Sequence, residues 1–105
     1  MKKKIAILGS TGSIGKTTFN IIKKNKKNFE VILLTTNQNI NEILKQIKIF
    51  KVKNLIISDK KKYLFLKKKL KNKKINIHNN FDIINTIFKK KIDYCMCAIS
   101  GLEGL

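Results

Sequence analysis

Gly9, Gly12 and Gly15, interleaved with Ser10, Thr11 and Ser13 and followed by Lys16 and Thr17, are the residues of this chain best suited to chemistry. Residues 5–8 ahead of them form a short apolar run of the kind that makes a buried parallel strand, and a helical pattern begins behind them. Strand, glycine turn and helix start in that order make a phosphate site. N–H groups in the first helical turn lack intrahelical partners, and the positive end of the helix dipole attracts an anion. Glycines let the chain turn tightly and let a pyrophosphate approach the backbone without meeting a Cβ. The chemistry indicated is nucleotide binding.

Spacing weighs one kind of nucleotide against another. The three glycines give G-x-x-G-x-x-G in place of the commoner G-x-G-x-x-G of dinucleotide folds. Ordinary NAD sites carry an Asp or Glu about 20 residues on, at the end of the second strand, for the ribose hydroxyls. Here that strand ends in Thr35, Thr36 and Asn37, with no carboxylate. A missing acid suits a cofactor bearing a 2′-phosphate, which an acidic side chain would repel, so NADP is favoured over NAD. The alternative is a P-loop nucleotide site. Gly15, Lys16 and Thr17 match the end of G-x-x-x-x-G-K-[ST], and Asp59 after an apolar run has the place of a magnesium ligand. Its spacing fails, because five residues separate Gly9 from Gly15 and Ser10 stands where the first glycine belongs. That loop wraps phosphates with a fixed set of N–H groups, and one extra residue changes the nest.

Apolar periodicity sets out the framework around the glycine loop. Ser13 is expected to cap a helix running to about residue 25, with Ile14, Phe19, Ile21 and Ile22 as its apolar face and Lys23 and Lys24 at its negative end. Residues 30–35 are continuous in apolar side chains, as in a strand buried on both faces. After a polar turn, Asn39 caps a second helix whose Ile40, Ile43, Leu44, Ile47 and Phe50 recur at helical spacing. Residues 54–58 read as a third strand, and Asp59 as the cap of a third helix that turns Tyr63, Leu66 and Leu70 to the sheet. Residues 75–78 read as a fourth strand. Asn80 then caps a fourth helix using Phe81, Ile84, Ile87 and Phe88, and residues 92–99 make a fifth strand. Strict alternation with short links implies an α/β fold, a Rossmann-like doubly wound parallel sheet with helices on both sides. The expectation is one domain over residues 1–105, incomplete at its C-terminus, whose last strand lacks the helix that covers it.

Composition bounds the remaining functions. The chain has 105 residues, 43% of them hydrophobic, enough for a modest core. No apolar run approaches the ~18 residues of a membrane span, and the stretch after Lys2, Lys3 and Lys4 is too short for a signal peptide, so a cytoplasmic location is expected. The net charge of +18 raises a third reading, a basic RNA-binding module without enzyme activity. It explains the charge but not the glycines. Every basic residue is lysine, whereas arginine is the usual reader of bases. The 24 lysines are also spread over the chain beside 19 isoleucines and 12 asparagines, a pattern of A+T-rich codons. No specific nucleic-acid partner is expected. Cys95 and Cys97 would point to one face of a strand, but a tetrahedral metal site needs about four ligands and His78 is the sole histidine. They are expected to be small buried core residues in a reducing compartment.

Through these residues the chain resembles the N-terminal, NADPH-binding domain of the 1-deoxy-D-xylulose 5-phosphate reductoisomerase family. Ile7-Leu8-Gly9-Ser10-Thr11-Gly12-Ser13-Ile14-Gly15 is similar to the family's signature almost letter for letter. The similarity continues through Asn28-Phe29-Glu30-Val31 and the Asn39 turn into Ala98-Ile99-Ser100-Gly101-Leu102-Glu103-Gly104-Leu105. The resemblance implies an oxidoreductase of isoprenoid precursor synthesis, which rearranges the deoxyxylulose phosphate and reduces the product with NADPH to methylerythritol phosphate. It implies that Gly9, Thr11, Gly12, Ser13, Ile14 and Gly15 hold the cofactor's pyrophosphate side. Asn37, Gln38 and Asn39 would meet the adenosine ribose and its 2′-phosphate, and Ala98 and Ile99 would lie near the cofactor. Asn39 matches the family; Asn37 and Gln38 replace its usual Gly and basic or small residue, and Gln38 brings a donor without charge. For the full-length family it implies a phosphorylated sugar substrate, a divalent metal (Mg or Mn) and a homodimer. The metal, substrate and catalytic residues fall on no position of this sequence, so the chain alone is expected to be inactive.

Overall fold

Five short strands lie side by side, all parallel, in a computed structural model that describes residues 2–71, 73–89 and 92–97. They are β1 (Lys3–Leu8), β2 (Phe29–Thr36), β3 (Asn54–Ile57), β4 (Asn76–His78) and β5 (Tyr94–Cys97), ordered β4-β3-β2-β1-β5. Between them run the helices α1 (Ser13–Lys24), α2 (Ile40–Ile49), α3 (Lys60–Lys69) and the short α4 (Ile84–Phe88). The expected Rossmann-like alternation is present.

Packing separates the two faces of the sheet. On one, Ile5, Ile7, Val31, Leu34, Leu55 and Ile57 meet Phe19 and Ile22 of α1, Ile43 of α2, Leu66 of α3 and Leu70 directly after it. On the other, Ala6, Ile32, Leu33 and Ile56 meet Ile87 of α4. Each Leu or Ile so buried contributes about 1.5–3 kcal/mol relative to exposure, which is what holds short helices of this kind in place. A bulge in β2 sets the facing. Ile5 pairs with Val31 but Ala6 pairs with Leu33, so Ile32 is an extra residue and shares a face with Leu33. Without it, every later side chain of β2, Thr35 and Thr36 included, would turn to the opposite face.

Several local expectations change. The N-cap of α1 is Gly12, extended at φ −76° and ψ 176°, and Ser13 is already helical without a capping bond. The turn closed by the Gly12 N–H on the Gly9 carbonyl at 3.3 Å ends at Gly12, so the helix starts there. Of the apolar face assigned to α1, Phe19 and Ile22 are buried, but Ile14 and Ile21 are 68% and 58% exposed. Each precedes a buried position, Gly15 or Ile22, by one residue, and one residue is about 100° of helix rotation. Asn39 and Asp59 do cap α2 and α3, accepting from the Glu42 and Lys62 N–H groups at 3.3 and 3.1 Å. Asn80 instead accepts from the Asp82 N–H at 3.1 Å in a turn, and α4 starts only at Ile84, leaving Phe81 exposed.

Cys95 is not a core residue: it is exposed, as are Tyr94 and Met96 on either side of it. Among the described residues β5 pairs only with β1, at one end of the sheet, which leaves these side chains uncovered. The expectation for the Cys97 side chain lies outside what the structure describes. No helix among the described residues is long and apolar enough to cross a membrane.

Candidate functional site

The sheet reverses its direction of growth at β1: β2, β3 and β4 extend to one side and β5 to the other. The crevice beyond the C-terminal end of such a strand is where doubly wound sheets bind ligands. Gly9 to Gly15 occupy that position. Gly9 has a positive φ of 78°, a conformation that L side chains rarely adopt. Gly15 is fixed by packing, since a Cβ there would sit 2.0 Å from the Gly9 carbonyl oxygen and 2.7 Å from the Ser10 Cα. Its bare backbone lets α1 start directly against the loop. That start has no side-chain cap and no acidic residue in its first turn, so its N–H groups are arranged for an external anion. The donor set fits a pyrophosphate.

The loop is strapped to its neighbours by bonds that sequence reasoning missed. The Gly9 N–H donates to Thr35 Oγ1 at 2.8 Å, and the Ser10 N–H to the Thr35 carbonyl at 3.0 Å. Ser10 is fully buried and faces inward, while Gln46 Nε2 of α2 donates to its carbonyl at 2.8 Å. Thr11 and Thr36 hydroxyls lie 2.6 Å apart. Two hydroxyls sharing one bond keep one proton to offer another acceptor, so Thr11 can hold the loop and still serve an anion through the pair. Gln46 had a visible signal: it is a polar residue at the i+3 position from Ile43, inside the apolar stripe of α2.

The second cluster of expected site residues lies at the same end of the sheet. Asn37, Gln38 and Asn39 are exposed directly after β2. Asn37 Oδ1 accepts from the Ser58 hydroxyl at 2.8 Å and its carbonyl accepts from the Asp59 N–H at 2.9 Å. The Gln38 carbonyl accepts from the Ile40 N–H, and Asn39 Oδ1 is the cap of α2. Lys16 reaches from α1 to Glu42 in the first turn of α2, Nζ to Oε1 3.9 Å, as an ordinary helix-surface ion pair. Glycine loop and Asn37–Asn39 turn are therefore brought together. Ala98 and Ile99, with the rest of the run to Leu105, lie outside the described residues; Cys97 before them is paired with Leu8. Among the described residues no three His, Cys, Asp or Glu side chains are grouped to hold a metal ion.

Comparison with known proteins narrows the fold to a family. The sequence model for 1-deoxy-D-xylulose 5-phosphate reductoisomerase matches residues 5–105. The reductoisomerase of Pelagibacter ubique is 54% identical over 98% of this chain and 27% of its own length. That of Buchnera aphidicola from Schizaphis graminum is 42% identical over 98% of this chain and 27% of its own. The Zymomonas mobilis reductoisomerase, solved in complex with NADPH, superposes with a TM-score of 0.83 at 29% identity, covering 94% of this chain and 26% of that one. A reductoisomerase solved with NADPH, fosmidomycin and magnesium gives 0.81 at 25% identity over 92% and 24%. The chain thus spans about a quarter of the length of the curated relatives it matches. A glycine turn at the switch point of this sheet and a family match across nearly the whole sequence agree: the chain belongs to the 1-deoxy-D-xylulose 5-phosphate reductoisomerase family.

Proposed function

We propose that this chain is the NADPH-binding part of an oxidoreductase that rearranges and reduces 1-deoxy-D-xylulose 5-phosphate to 2-C-methyl-D-erythritol 4-phosphate. The observation that carries the reading is the uncapped, acid-free start of α1, set against a glycine turn at the switch point. NADPH, when bound, supplies the hydride for the reduction. The work of this chain is to hold and orient it. Gly9, Thr11, Gly12, Ser13, Ile14 and Gly15 take the pyrophosphate side, through first-turn N–H groups and the hydroxyls of Ser13 and the Thr11–Thr36 pair. Asn37, Gln38 and Asn39 take the adenosine ribose and its 2′-phosphate, and Ala98 and Ile99 lie beside the cofactor. The exposed Ile14 offers an apolar surface at the loop's mouth, consistent with cofactor contact.

In the same reading, no residue of this chain is given a metal-holding or catalytic role. The divalent metal, the phosphorylated sugar, the homodimer and a cytoplasmic location belong to the same proposal through the family. Calorimetric titration tests it. NADPH should bind saturably at one site per chain, and ATP-Mg should neither bind nor compete. Binding of ATP-Mg without binding of NADPH would overturn the reading.

A further inference from the structure

The turn after β2 contains no cation, yet a 2′-phosphate carries a charge that amide donors alone do not balance. Resting on the NADPH reading above, we propose that Lys60 and Lys61, at the start of α3, supply that countercharge and set the preference for NADPH over NADH. The turn is docked on this part of the chain. The Asp59 N–H donates to the Asn37 carbonyl at 2.9 Å, the Ser58 hydroxyl to Asn37 Oδ1 at 2.8 Å, and the Ser58 N–H to the Thr36 carbonyl at 3.1 Å. Three bonds over two consecutive residues hold the polypeptide just before Lys60 against the turn. Lys60 and Lys61 follow immediately, and both are exposed on flexible stems. The nearest acid, Asp59, is turned into its own helix, where Oδ1 accepts from the Lys62 N–H at 3.1 Å. Lys16, the cation in the first turn of the glycine loop's own helix, is paired with Glu42. Thr36, at the end of β2 where an NAD site keeps its acid, is engaged with Thr11. Position and charge together leave the task to the α3 lysines.

The test measures dissociation constants for NADPH and NADH with the wild-type chain and three paired variants. Lys60→Ala with Lys61→Ala should weaken NADPH binding at least fivefold and leave NADH binding unchanged. Lys60→Arg with Lys61→Arg should keep NADPH affinity within twofold of wild type. Lys23→Ala with Lys24→Ala, which removes the same charge from the far end of α1, should leave the NADPH to NADH ratio unaltered. Equal weakening of both cofactors by the Lys60 and Lys61 alanine pair would overturn the proposal, as would no change, or an equal change in the ratio from the Lys23 and Lys24 pair. A wild-type chain that binds no NADPH would instead overturn the underlying reading, and this proposal with it.

Discussion

The side-chain amide of Gln46 donates to the main-chain carbonyl of Ser10 at 2.8 Å, joining α2 to the glycine loop across 36 residues of sequence. Both residues are buried, so water cannot replace either partner. Gln46→Leu fills similar volume but strands the Ser10 carbonyl, which costs about 1–3 kcal/mol for an unsatisfied buried acceptor. Urea unfolding should show that loss, and NADPH affinity should fall because the loop is no longer pinned. A variant as stable as wild type would contradict this role.

Two glycines of the loop should separate folding from binding. Gly15→Ala drives a Cβ to 2.0 Å from a backbone oxygen that cannot swing away, and overpacking of this kind costs about 3 kcal/mol. Gly12 has φ −76°, open to any residue, and is exposed, so Gly12→Ala should cost about 1 kcal/mol or less. Its methyl group would nonetheless stand where the pyrophosphate approaches, and NADPH affinity should drop at least tenfold. Thermal melts and calorimetry on the two variants distinguish the roles.

Asn37→Asp is close to isosteric and keeps the acceptor for the Ser58 hydroxyl. It places a carboxylate just after β2, where acids select NAD by repelling a 2′-phosphate. NADPH binding should weaken about tenfold while NADH binding holds or improves. Equal effects on both cofactors would mean that this turn does not meet the 2′-phosphate.

Much of this arrangement was legible because local chemistry and global fold agree. Asn39 and Asp59 cap as their residue types dictate. Of the expected apolar stripes, Ile43, Phe50, Leu66 and Leu70 are buried, while Ile40, Leu44, Ile47 and Tyr63 pack half-buried against the same core. What sequence reading missed depends on partners distant along the chain. The bulge at Ile32 is a property of the β1–β2 pairing and leaves no mark on β2 alone. Thr35 and Thr36 read as the polar end of a strand, and the loop groups their hydroxyls bond, Gly9 and Thr11, lie 26 and 25 residues away in sequence. Cys95 sits in an apolar run that reads as core, but burial also requires an element packed over its side of β5. Ser13 was displaced as the cap by one residue because Gly12 closes the preceding turn.

His78 on β4 gives the chain a mild acid sensitivity. Partial burial, and then the nearby charge of Lys67, lower its pKa from the ordinary 6.5, and its buried Nε2 has no hydrogen-bond partner. The folded state therefore binds fewer protons than the unfolded state once pH falls below about 6.5. Stability should be level well above pH 7 and decline as pH falls through 6.5. Urea midpoints across that range should show the slope in wild type and lose it in His78→Gln. A midpoint that rises on acidification would contradict the shift.

Amide NMR during a titration with NADPH tests whether the loop over Gly9 to Gly15 and the turn over Asn37 to Asn39 form one NADPH site. The Gly12, Ser13, Ile14 and Gly15 amides should shift together with those of Asn37, Gln38 and Asn39, all along one binding curve. NADPH-induced shifts that avoid both segments, or a spectrum unchanged at saturating NADPH, would contradict it.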